Sequence, residues 1–427
     1  MCGRLILLEE SGAEMDKYQN KGGNTAIIKK NNLSLIVRLI REMGVVSRTE
    51  LSRITDLSKG GLTPIIQELI EKNVIRETGV IDSAVGRKPI VLEINSNISY
   101  VIAVDINRSK MQIGLVNFTN QLQSFYEYKY AVKETAQDIV KRLKSMIRFF
   151  IDQNQDKRIA AIAVSVPGPL NCRNGIILNP PNFEGWENLN LKTLLEEEFG
   201  IATILDKDAN AYAMAEKTVG LGKKYKNFIH ITHCEGVGSG IVLNDKLYRG
   251  VEGFGTEIGH IIVDYNGKQC DCGNKGCLEK YASMNAIIEW IEAKLGSDSN
   301  KANDPIRTVY ERSGRIEWDD VIDGLAKHVP ICLEAMEIAG TYLAYSLVSM
   351  INIFAPEAII IGGPSVLVGK YLLKPIKKII SDRSFFRDYY LSDILLSELK
   401  DGALIGISSI AFEHLLNDSI ELLFGNV

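Results

Sequence analysis

Along the first part of the chain, apolar residues recur at helical spacing in three short blocks. Leu33, Ile36, Leu39, Ile40 and Met43 mark one face of a helix that the pattern ends at Gly44. Ser47-Arg-Thr-Glu50 has the form of a capping box, and it opens a second, shorter helix predicted to bury Leu51 and Ile54. Asp56-Leu57 supplies a tight turn, after which Leu62, Ile65, Ile66, Leu69 and Ile70 stripe a third helix. The period then changes. Val74–Thr78 and Ile90–Ile94 read as two strands around a polar loop that ends in Gly86-Arg87-Lys88-Pro89. Three helices with a tight turn between the last two describe a helix-turn-helix, and the strand–loop–strand behind them has the form of a wing.

From Tyr100 onward the pattern alternates. Val101–Ile106, Gln112–Phe118 and Gln121–Val132 predict three successive strands, Thr135–Asn154 an amphipathic helix, and Arg158–Val166 a buried strand closed by Pro167-Gly168-Pro169. Ile201–Leu205 predicts another strand, with a helix opening at Asp208, and Phe228–Thr232 and Val237–Leu243 predict two more. Such alternation argues for a sheet covered by helices, an α/β fold. The expected division is an extension over 1–30, a winged helix-turn-helix over 31–97, and a large region over 98–427 whose second lobe starts near 206. No apolar run approaches the length of a membrane-spanning helix, and Leu5–Leu8 is too short for a signal-peptide core. A cytoplasmic location without a membrane partner is the expectation.

Charge changes the picture only when divided. The whole chain carries −4, but residues 1–97 hold 14 Lys and Arg against 12 Asp and Glu, so the basic surplus sits beside the helix-turn-helix. Proline is tolerated in a helix's first turn, so Pro64 predicts a third helix starting between Ser58 and Thr63. Ser58, Lys59, Thr63 and Gln67 are then the candidates for contact with double-stranded operator DNA, although Ser and Thr serve equally well as helix caps. Arg87 and Lys88 place two cations on a stiff, extended backbone suited to a narrow minor groove. A homodimer or higher homo-oligomer would set two recognition helices on a near-palindromic site.

The densest chemistry lies in Glu257-Ile-Gly-His260 and Cys270-Asp-Cys272-Gly-Asn-Lys-Gly-Cys277-Leu-Glu279. Three of seven cysteines fall within eight residues, and His260, Cys270, Cys272 and Cys277 make a Cys₃His set of the kind that zinc binds tetrahedrally. Chance clustering of buried thiols is the alternative. With four protein ligands and no open position, such a zinc is structural. The segment resembles the zinc signature of the ROK family (repressors, open reading frames and sugar kinases), Gly-His followed after a spacer by Cys-x-Cys-Gly-x-x-Gly-Cys-x-Glu. It matches at every fixed position, and the resemblance runs from about residue 33 to the end.

The resemblance implies a winged helix followed by a two-lobed, actin-like (ribonuclease H-like) domain of the ATPase-type sugar-kinase class. It also implies sugar contacts from Asn182, Asp208, Glu257, His260 and Glu279. In the family's kinases the aspartate at Asp208 is the general base; here it could instead cap a helix. Asn179-Pro-Pro-Asn182-Phe183 matches the sugar-contact loop, and as a sequence it is equally a turn former. Lys207 stands where the kinases commonly have asparagine. The first phosphate loop, Asp-x-Gly-Gly-Thr-Lys in the kinases, is Asp105-Ile-Asn107-Arg108-Ser109-Lys110 here, and side chains replace the glycines that admit phosphates. The second loop keeps Gly236, Gly238 and Gly240 but places Glu235 where a hydroxyl belongs, and a carboxylate repels a triphosphate. Ile361-Gly362-Gly363-Pro364 resembles the adenosine loop. The implied protein is a non-enzymatic, sugar-responsive repressor of the xylose-repressor type, with xylose the first effector to consider. An ATP-dependent hexose kinase is the alternative, and a zinc-stabilised scaffold with idle carboxylates is a third reading.

Overall fold

The computed structural model describes residues 25–80, 90–131, 134–181, 183–297, 305–400 and 402–425. They form two compact units, one made of 25–95 together with 416–425, the other of 96–415.

In the first unit, α1 (Thr25–Met43) starts upstream of the expected boundary and stops at Gly44, whose φ of +76° closes the helix in the left-handed region. Leu33, Ile36, Val37 and Ile40 form its buried stripe. Strand β1 (Val45–Ser47) leads into α2 (Arg48–Thr55), where the Ser47 hydroxyl accepts from the Glu50 amide. Leu51 is buried as expected, but Ile54 is 43% exposed, since a two-turn helix offers only one position to the core. Helix α3 (Lys59–Glu71) buries Leu62, Ile65, Ile66 and Leu69. Strands β2 (Ile75–Val80) and β3 (Ile90–Ile94) are antiparallel, and β1 pairs on the other edge of β3 in the order β1-β3-β2. The expected wing residues Arg87 and Lys88 lie outside the described residues.

Residues 416–425 fall in this unit too, whereas the sequence pattern grouped 98–427 together. Ser34 Oγ donates to the Leu416 carbonyl (2.6 Å), Arg38 Nη2 to Asn417 Oδ1 (2.9 Å) and Lys30 Nζ to the Asp418 carbonyl (2.9 Å). Nothing in the local pattern of 416–425 distinguishes it from another core helix; its partners lie at the opposite end of the sequence.

The second unit repeats one topology twice. Strands β4 (Tyr100–Ile106), β5 (Lys110–Asn117) and β6 (Leu122–Lys129) form a meander. Helix α4 (Ala136–Asp152) follows, opened by a Thr135–Asp138 capping box. Strand β7 (Ile159–Val166) joins parallel to β4. The short strands β8 (Leu170–Asn171), β9 (Ile176–Ile177) and β10 (Leu189–Asn190) form a separate small sheet. Helix α5 (Leu191–Phe199) leads to β11 (Thr203–Lys207), which completes the sheet β11-β7-β4-β5-β6. Helix α6 (Asp208–Thr218) leads to β12 (Phe228–His233), β13 (Val237–Leu243) and β14 (Lys246–Tyr248), a second meander.

Helices α7 (Glu279–Ala282), α8 (Met284–Ser297), α9 (Pro305–Ser313), α10 (Trp318–Ala326) and α11 (Pro330–Phe354) precede β15 (Ala358–Gly362), parallel to β12. Helix α12 (Gly369–Arg383) and β16 (Asp393–Leu396) close the order β14-β13-β12-β15-β16, and α13 (Gly402–Asp418) and α14 (Ile420–Phe424) end the described chain. Both sheets are therefore a three-strand meander extended by two parallel strands.

Each lobe has its own core, one around Ile102, Val104, Ile162 and Val164, the other around Ile229, Ile359, Leu343 and Leu347. The second core is crossed by α11, which at 25 residues is long and apolar enough to span a membrane, contrary to the sequence expectation. Its buried stripe, including Met336, Ala339, Leu343 and Leu347, packs within that core.

Candidate functional site

In the second unit, charged groups from both sheets come near one another. On the first lobe, Asp105 ends β4 with its carboxylate buried, accepting from Ser165 Oγ at 2.6 Å, and burial pushes it up to about 6. The next residues turn back through Asn107, whose Oδ1 accepts from the amides of Ser109 (3.1 Å) and Lys110 (3.0 Å). Arg108 then reaches sideways, its Nε and Nη2 donating to the Pro181 carbonyl at 3.2 and 3.1 Å. The turn that would need bare glycines is thus filled by two side chains with fixed partners.

Asp208 stands at the first position of α6, preceded by Lys207 as the cap residue, so it is not the cap; its Oδ1 accepts from the Ala209 amide at 2.6 Å. Asp208 is half-buried, and its surroundings raise it to about 7. Desolvation is the main cause, the negative Asp105 and Glu257 add to it, and Arg108 opposes it. The second lobe contributes Gly236, where an added Cβ would come within 2.4 Å of Glu279 Oε2 and 3.9 Å of Arg108 Nη1. Gly259 is pinned in the same way between Val237 O and Glu279, and it fixes the 3₁₀ turn Ile258–His260 against the start of β13. Glu257 and Arg108 thus lie close enough to Asp208 to act on it electrostatically, Glu279 and Arg108 flank Gly236, and the His260 ring lies with the cysteines. Asn182 lies outside the described residues; its neighbour Phe183 stacks on Trp186 at 4.6 Å.

Sequence reading gave Lys207 only as a departure from pattern. Its ammonium is in fact buried, and it donates to Glu257 Oε1 (2.8 Å), Thr256 Oγ1 (3.2 Å) and the Gly255 carbonyl. Beside it, buried Asp206 accepts from Arg249 Nε (2.8 Å) and Asn210 Nδ2 (2.7 Å). Charged residues at the end of an apolar strand were the available signal, since a Lys or Asp buried there requires a partner.

His260, Cys270, Cys272 and Cys277 offer ligand atoms all within 4.8 Å of one another. His260 Nδ1 lies 3.7 Å from Cys270 Sγ, and the Cys272 and Cys277 sulfurs lie 3.7 Å apart. A tetrahedron of ~2.3 Å zinc–thiolate bonds has edges of about 3.8 Å, so the set fits zinc. Burial pushes the Cys277 thiol up to about 12, so without a cation it holds its proton.

On α3, Lys59, Thr63 and Gln67 are exposed along one face, and Ser58 is exposed just before it. Ser58 acts as the cap, accepting from the Gly61 amide at 3.1 Å, and Thr63 Oγ1 donates to the Lys59 carbonyl at 2.7 Å. Pro64 sits in the second turn rather than the first, opposite Gly60 on the turn below.

Three comparisons place this arrangement. The chain is 29% identical over 388 residues to the xylose repressor of Caldicellulosiruptor bescii, covering 90% of this chain and 95% of that one. A crystal structure of a ROK family transcriptional regulator, a homologue of the Escherichia coli Mlc protein, superposes with a TM-score of 0.81 at 27% identity. That match covers 94% of this chain and all of the other. A ROK family glucokinase from Streptomyces griseus, solved with glucose and AMPPNP, matches with a TM-score of 0.65 at 25% identity, over 73% of this chain and 99% of that one. Residues 101–413 match the ROK family as a whole, and with the two meander-plus-parallel sheets and the Cys₃His cluster on the page, the chain belongs to that family.

Proposed function

We propose that the protein is a sugar-responsive transcriptional repressor. It binds operator DNA through its first unit and a free sugar, without phosphorylating it, through the cleft of its second. One observation carries the reading: Arg108, which acts on Asp208 together with Glu257 and flanks Gly236 together with Glu279, is tied to Pro181, and with Asn107 it fills the turn where phosphates would need glycines. A site that keeps hydroxyl acceptors but obstructs phosphates is built to hold a sugar rather than transform it. Asn182, Asp208, Glu257, His260 and Glu279 hold its hydroxyls. The xylose-repressor relative makes D-xylose the first candidate.

In the first unit, Ser58, Lys59, Thr63 and Gln67 face the major groove, and Arg87 and Lys88 form a wing on the minor groove or phosphates. A homodimer sets two such units on successive half-sites of a near-palindromic operator. Zinc on His260, Cys270, Cys272 and Cys277 serves as a structural ion that fixes the His260 ring for the ligand. Such a repressor works in the cytoplasm, where thiols stay reduced.

The test is operator binding measured against a panel of pentoses, hexoses and their phosphates without ATP. One sugar should release DNA, and Glu279→Gln should bind operator normally while losing that response. A variant released at the wild-type sugar concentration removes the site from the switch. The glucokinase likeness favours a second reading, ATP-dependent phosphorylation with Asp208 as base. ADP release in the ordinary enzyme range of about 1–1000 per second would establish it in place of the first.

A further inference from the structure

We propose that Lys207 is the positioning residue of the cleft, clamping Gly255-Thr256-Glu257 in a strained conformation that aims the Glu257 carboxylate at the ligand. The ligand side of this proposal rests on the sugar-binding reading above; the clamp rests on geometry alone.

The segment from Arg249 to Glu257 is unusual backbone. Glu252 has φ +55° and Thr256 φ +70°, and a β-branched residue in the left-handed region persists only when its surroundings hold it there. Three contacts do so. Ser239 Oγ donates to the Thr256 carbonyl at 2.7 Å, Arg249 pairs with the buried Asp206, and the Lys207 ammonium bonds three consecutive residues of the turn. An ammonium has three protons, and all three of these are used on this one turn.

The clamp is also buried. The Lys207 side chain is 4% exposed, and an added Cβ on Gly168 would come within 3.1 Å of its Cδ and 3.4 Å of Glu257 Oε1. Gly168 therefore leaves the slot in which the lysine stem and the carboxylate meet. Glu257 is the one anion among the three acceptors, and one of its oxygens is spent on Lys207. The Glu257 side chain remains 42% exposed, which leaves it reachable by a hydroxyl of the ligand. His260 follows three residues later on the adjoining 3₁₀ turn, so the same clamp sets where that ring begins. The lysine itself has no proton left for a ligand, which makes it a positioning group rather than a contact.

The experiment uses the full chain with Lys207→Ala, and Lys207→Met as a second variant that keeps the stem and loses the charge. Amide exchange in the ligand-free protein is the first readout. Residues 253–260 should exchange about tenfold faster in both variants, with β7 and β12 unchanged. Titration with D-xylose, or with whichever panel sugar the wild type binds, is the second; affinity should fall by about tenfold or more. Propylammonium replaces the atoms removed in Lys207→Ala, and it should restore both exchange protection and affinity, whereas propanol should not. Unchanged exchange in both variants overturns the clamp. So does equal rescue by propanol, which would reduce Lys207 to packing. If the wild type binds no sugar, the repressor reading falls, while amine-specific protection of 253–260 still decides the clamp.

Discussion

Asp105 and Asp208 are carboxyls held close together under poor solvation, at about 6 and about 7 against an ordinary value of 3.8. The sign of the linkage follows. A carboxyl whose folded value is raised favours the folded state fully below the unfolded value, and that contribution is lost as pH climbs through the folded one. Stability from this pair should therefore decline between pH 4 and 7. Asp208→Asn removes the penalty, so it should melt higher than wild type at pH 8, by on the order of 2–4 kcal/mol, and no higher at pH 4. Melting curves at the two pH values check this, and an equal gain at both would contradict it. The result bears on function because the same residue is one of those proposed to hold the sugar.

At the scale of elements, α3 and the cysteine loop make separable predictions. Gly60 lies in the first turn of α3, where an added Cβ would find only Ser58 Oγ at 3.9 Å. Folding does not require glycine at that position. Gly60→Ala should stabilise the first unit by about 1 kcal/mol through helix propensity, yet weaken operator binding if the backbone approaches DNA closely there. Lys59→Ala should leave the melting temperature unchanged, weaken binding to all sequences alike, and lower the salt slope by about 1. Gel-shift titrations at several salt concentrations separate the two. The cysteine loop should hold about one zinc per chain by elemental analysis. Stripping it should lower the melting temperature by about 5 °C or more, because two buried thiols, the exposed Cys272 and an imidazole would lose their common partner. An unchanged melting curve after complete removal would mean that the cluster is not structural.

Across the whole molecule, legibility followed the range of the forces involved. Periodicity is local, so the Leu62–Leu69 stripe, the helix beginning at Thr135 and the meander strands could be read directly. The Cys₃His set was legible because its members are close in sequence and chemically distinctive. Strand β11 was expected over Ile201–Leu205 and lies over Thr203–Lys207, because charged Asp206 and Lys207 look like a strand's end. Their partners, Arg249 and Glu257, stand more than forty residues away and were invisible to a local reading. Helix α11 was missed as a membrane-length segment because its glutamates interrupt the run that a linear scan follows, although on a helix they share the solvent face. The proposed sugar contacts come from distant segments, so their relative placement was equally invisible to a local reading.

The docking of residues 416–425 beside α1 carries a consequence for biosynthesis. A ribosome delivers the chain in order, so the first unit, proposed to read DNA, waits for 416–425 until the whole of 96–415 has emerged. An unfinished repressor should then be a poor competitor for the operator, a form of quality control that comes from discontinuity alone. A chain ending at Leu415 should show this directly: sugar-induced stabilisation retained, and the first unit's cooperative melting and its operator binding both weakened. If that shortened chain grips DNA as tightly as the full one, the closing segment is an ornament and translation imposes no such delay.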